Sequence, residues 1–80
     1  MKSVDINDVI VYPNVASKII YLKNIPAGAM YELIDMTGKV IKFEINESMI
    51  DVSTVESGIY YLLIKDQNQH LIINERIIVR

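Results

Sequence analysis

Cysteine is absent from the 80 residues, so no disulfide supports the fold and no thiolate offers a nucleophile or a metal ligand. Tryptophan is also absent, and there is a single histidine, His70, in the polar run "DQNQH". A lone histidine beside turn residues reads as a solvated side chain. With no second histidine and no tight carboxylate cluster, no metal site can be assembled. Ser48, Ser53 and Ser57 have no base but His70 and no nucleophile elbow around them. "DMTG" (35–38) carries the residues of an aspartic-protease motif, but Met36 interrupts it. The chain therefore reads as a non-enzyme that calls for no cofactor. A net charge of −2 with dispersed Lys and Arg lacks the basic footprint of nucleic-acid binding. The apolar runs fall far short of the roughly 20 residues that span a bilayer. Residues 1–20 hold no apolar stretch behind a basic start, so they are not a signal peptide.

What is abundant is branched aliphatic side chain: 15 Ile and 8 Val. A second branch on Cβ suits a pleated surface better than a helix turn, so the expected class is all-β. Short apolar runs separated by Pro, Gly and Asn punctuation predict strands at 8–12, 18–25, 30–34, 40–45, 49–52, 59–64 and 71–80. Seven mainly antiparallel strands at this spacing predict a two-sheet Ig-like β-sandwich. We divide the chain into an N-terminal segment, residues 1–8, and one domain, residues 9–80. Within the strands, alternation turns Ile20 and Leu22 inward against Tyr21 and Lys23. It pairs Tyr31 with Leu33, sets Ile50 and Val52 around an outward Asp51, and directs Ile77 and Val79 to the core. Arg76, Ile78 and Arg80 then face solvent.

Two turns are specific. In "DMTGK", Asp35 can cap the turn and Gly38 supplies the left-handed backbone that a short hairpin needs before Lys39. "VESGIY" sets Val55, Gly58 and Tyr60 at the spacing of a tyrosine corner, in which a phenol hydroxyl bonds the backbone a few residues upstream. "NES" (46–48) fits a glycosylation sequon, a tripeptide common by chance. Tyr12, Tyr21, Tyr60 and Tyr61 could line a sugar- or peptide-binding surface, although core and cross-strand packing accounts for them more simply.

The order of these motifs carries a resemblance. "VYPNVAS", "YELIDMTGKVI", "IDVSTVESGIYYLLI" and the terminal "RIIVR" follow one another between residues 11 and 80. This resembles the C-terminal sorting domain of cargo proteins of the type IX secretion system in Bacteroidetes. The family pattern opens on Tyr-Pro-Asn-Pro, matched by Tyr12, Pro13 and Asn14, with Val15 in place of the second proline. Asp-x-x-Gly-Lys is matched by Asp35, Gly38 and Lys39. Leu-x-x-Gly-x-Tyr is matched by Val55, Gly58 and Tyr60, with valine for leucine. The resemblance implies an Ig-like domain that directs a fused N-terminal cargo through an outer-membrane translocon. It further implies passage through the periplasm to the cell surface or medium, with removal by a sortase-like peptidase near Lys2 to Asp8.

The strand "NERIIVR" gives that role a candidate surface, formed by Arg76, Ile77, Ile78, Val79 and Arg80. One side ties the strand into the core; the other presents a cation–aliphatic–cation stripe. The alternative is an Ig-like adhesion or ligand-binding module that uses the tyrosines. An exposed terminal strand would also permit a homodimer by edge pairing.

Overall fold

The computed structural model describes residues 9–45 and 47–80. Asn46, and with it the sequon, lies outside the described residues, as do the segment 1–8 and the expected processing region. The described chain is all-β. Its strands are β1 (Ile10–Tyr12), β2 (Val15–Ala16), β3 (Ile19–Lys23), β4 (Met30–Ile34), β5 (Val40–Ile45), β6 (Met49–Asp51), β7 (Gly58–Lys65) and β8 (Leu71–Val79). They form two sheets, ordered β1-β3-β6 and β2-β8-β7-β4-β5. All pairings are antiparallel except the parallel one between β2 and β8.

The inward residues follow the alternation of each strand. Ile20 and Leu22 of β3, Ile50 of β6, and Val52 just after it come from the smaller sheet. Tyr31, Leu33, Leu62, Ile64, Ile77 and Val79 come from the larger one, and together these side chains make one core. Each buried aliphatic contributes about 1.5–3 kcal/mol, the scale on which so short a chain depends. Tyr21, Lys23 and Asp51 are exposed as the alternation requires.

Two hairpins are built alike. The Asp35 carboxylate accepts from the backbone N–H groups of Thr37 and Lys39, and the Asp35 N–H donates to the Lys39 carbonyl. Asp66 does the same with Asn68 and His70 in the β7–β8 connection. The left-handed position is Gly38 in the first (φ 88°) and Gln69 in the second (φ 67°). The hydrogen bond from the Thr37 hydroxyl, with these backbone bonds, holds the Asp35 carboxyl below its ordinary value, and the His70 N–H does so chiefly for Asp66.

The structure differs from the expected seven strands by adding β2. Two residues long, it lies on the outer edge of β8, with Val15 opposite Ile78 and Ala16 opposite Val79. The end of the last strand is therefore not the open edge that the sequence suggested. It is enclosed between β2 and β7, because the turn after Pro13 returns the chain alongside it.

Candidate functional site

The last strand collects the motifs that lie apart in sequence. The backbone N–H of Ile78 donates to the Asn14 carbonyl at 2.8 Å, and that of Arg80 donates to the Ala16 carbonyl at 2.9 Å. On its other side Val79 pairs with Gly58, Ile78 with Ile59, and Ile77 with Tyr60. The "YPN" segment and the "GIY" segment thus hold opposite edges of the same terminal residues. The Tyr12–Pro13 peptide bond is cis.

The two faces of this strand differ in burial. Ile77 and Val79 are 0% and 2% exposed and anchor the strand in the core. Arg76 and Arg80 are exposed, and Ile78 between them is half-buried. With a rise of about 3.3 Å per residue, the two arginine Cα atoms stand roughly 13 Å apart along one face. Among the described residues, the ion pairs are Lys65–Glu32 and His70–Asp66, and neither involves an arginine. Both guanidiniums therefore lie outside the ion pairs among the described residues, and a guanidinium is a group suited to bidentate contact with carboxylates.

The tyrosine corner forms as the spacing predicts. The Tyr60 hydroxyl donates to the Glu56 carbonyl at 2.7 Å, and the ring is buried. This bond fixes the entry to β7, the strand on which β8 is laid. Asp35 and Lys39 line the same depression as Val55, Glu56 and Tyr60, so the first hairpin turn and the corner border one another.

The four tyrosines do not form a shared surface. Tyr12 and Tyr21 stack at 5.4 Å on the outer side of the smaller sheet. Tyr60 is in the core, and Tyr61 lies beside Arg76 on the outer side of the larger sheet. His70 is exposed, with its Nδ1 3.5 Å from the Asp66 carboxylate. No group of three or more His, Cys, Asp or Glu side chains that could hold a metal occurs among the described residues. Ser53 donates its hydroxyl and its N–H to Asp51, a local turn contact. Sequence reasoning missed β2. Its signal is faint: an apolar pair, Val15–Ala16, between a Pro-Asn turn and a serine.

The model of the family described as "Secretion system C-terminal sorting domain" matches residues 10–80. Among solved structures, the chain resembles PorZ, an essential bacterial surface component of the type-IX secretion system of Porphyromonas gingivalis. The TM-score is 0.73 at 19% identity; the likeness covers 98% of this chain and 12% of that one. The chain therefore spans a small fraction of the length of that protein. No curated protein matches it.

Proposed function

From the premise that this chain belongs to the family of secretion system C-terminal sorting domains, we propose how its surface serves as a sorting signal in type IX secretion. The chain marks a secreted protein for delivery to the cell surface or beyond. The outward stripe of β8, Arg76, Ile78 and Arg80, is the part read by the outer-membrane translocon. The observation that carries this reading is the division of one strand into two sides. Ile77 and Val79 are buried in the core while both arginines are exposed and outside any ion pair among the described residues.

The cargo is fused ahead of the domain and passes through the periplasm in a form that the translocon recognises. A sortase-like peptidase removes the domain within the segment 1–8. The domain proper is residues 9–80, an Ig-like sandwich without catalytic function, a reading supported by the Tyr60 corner and the two facing sheets.

The test is a reporter with a signal peptide, fused to the whole 80-residue chain or to residues 9–80, in a host that runs this secretion system. The expected result is surface or medium delivery of both fusions, with the domain released only from the longer one. Retention of both in the periplasm would contradict the sorting role. Release from the shorter fusion would move the processing point into the folded domain.

A further inference from the structure

Strand β5 is the edge of the larger sheet, and its side chains are arranged unusually for an edge. Leu33 of β4 pairs with Lys42, and Tyr31 with Glu44, so the two charged residues lie on the core side of the sheet. Phe43 pairs with Glu32 and Ile45 with Met30, so the apolar residues lie on the outer side; they are 48% and 54% exposed. The register irregularity falls at the hairpin end, between Leu33 and Ile34, and leaves Lys42–Ile45 in regular pairing.

Inward-pointing charge on an edge strand is a common way to prevent pairing with another chain. Here the two charges have opposite sign and flank Phe43 symmetrically, which reverses the effect for one partner. An antiparallel copy of the strand keeps its faces only when directly opposed positions sum to an even number. Registers centred on Lys42 or on Glu44 would oppose like charges. The register centred on Phe43 places Lys42 opposite Glu44 of the copy and Glu44 opposite its Lys42. It also continues the apolar outer side, Phe43 and Ile45, across the junction. Neither Lys42 nor Glu44 takes part in an ion pair among the described residues.

We propose that β5 pairs antiparallel with β5 of a second copy of this chain, about a two-fold axis at Phe43, joining the two larger sheets into one. The interface is isologous and closes on itself, so it gives dimers and not filaments. It is independent of the stripe on β8, which lies at the far side of the same sheet, and does not rest on the sorting role.

Charge reversal tests the register in the 80-residue chain, with association read by sedimentation equilibrium across a concentration series. Lys42→Glu alone, or Glu44→Lys alone, turns two cross-strand attractions into two repulsions and should weaken the dimer about tenfold or more. The double variant Lys42→Glu/Glu44→Lys should restore it, and this recovery separates the pairing from any general effect of substitution. The native chain has no cysteine, so Phe43→Cys introduces the only thiol. Directly opposed Cα atoms about 4.5–5.5 Å apart are within disulfide reach, and oxidation should cross-link this variant far faster than Met36→Cys in the adjoining turn. Four results would overturn the proposal: no concentration-dependent association, a double variant no tighter than the singles, equal cross-linking at the two thiols, or a monomer whose β5 instead takes up an added extended peptide.

Discussion

Replacing Tyr60 by phenylalanine removes one oxygen and leaves the ring that packs in the core. The loss is confined to the bond that the hydroxyl donates to the Glu56 carbonyl at 2.7 Å. A typical intramolecular hydrogen bond contributes about 0.5–1.5 kcal/mol net. The bond is only part-buried and Glu56 is an exposed residue, so the full penalty for an orphaned buried acceptor is not added. No cavity forms, since the ring remains. The expected cost is therefore about 1 kcal/mol, which lowers the melting temperature by roughly 4–8 °C in a domain of this size. Urea unfolding is the suitable assay: the midpoint should fall while the slope stays constant, because the surface exposed on unfolding is unchanged. Tyr60→Ala, which also removes the buried ring, should cost about 3–5 kcal/mol and largely unfold the chain. An unchanged midpoint for Tyr60→Phe would refute the reasoning that this bond fixes the entry to β7.

Other expectations concern the turns and pH. The Asp35, Asp51 and Asp66 carboxyls are each held below their ordinary 3.8, the first two chiefly by side-chain hydrogen bonds from Thr37 and Ser53, and Asp66 by the backbone N–H of His70. A depressed folded pKa means that the unfolded chain takes up the proton first on acidification. Their contribution is thus complete above the ordinary value and is lost as pH falls through the folded values. Unfolding free energy measured from pH 6 down to pH 2 should drop below about pH 4, and the drop should be shallower for Asp66→Asn. Gly38→Ala meets no atom within 4 Å of the new Cβ but must hold φ at 88°, so the backbone alone should cost about 1 kcal/mol in the same urea assay. Gln69→Gly, at the equivalent position of the other hairpin, should raise stability by less than that.

How far the sequence reveals this fold depends on whether a strand has its own periodicity. Ile20 and Leu22 alternate with Tyr21 and Lys23, and Ile77 and Val79 alternate with Arg76, Ile78 and Arg80; all four are buried as expected. Asp35 and Gly38 announce their turn because one residue caps and the other alone adopts its backbone cheaply. The Asp66 turn is built the same way but has Gln69 at the left-handed position, so the glycine cue is missing. Strand β2 has only two residues and exists because a strand more than 60 residues later presents an edge to it. No local pattern encodes that contact. In β5, alternation alone would turn Ile41, Phe43 and Ile45 inward. The pairing with β4 instead turns Lys42 and Glu44 to the core side, where an edge strand overhangs the buried residues and leaves charge in contact with water. The arginine stripe could be read from parity, but its enclosure between the Asn14 and Gly58 segments could not.

In the proposed sorting signal, Arg76 and Arg80 are read by the secretion machinery while Ile77 and Val79 only hold them in place. The most direct measurement is the distribution of a folded carrier fused to the Arg76→Glu/Arg80→Glu chain between periplasm and cell surface. Both positions are exposed, and substitutions there usually change stability by no more than about 0.5 kcal/mol, which a thermal melt of the isolated variant verifies. The expected result is a folded carrier that accumulates in the periplasm. Delivery at the level of the unaltered chain would contradict it.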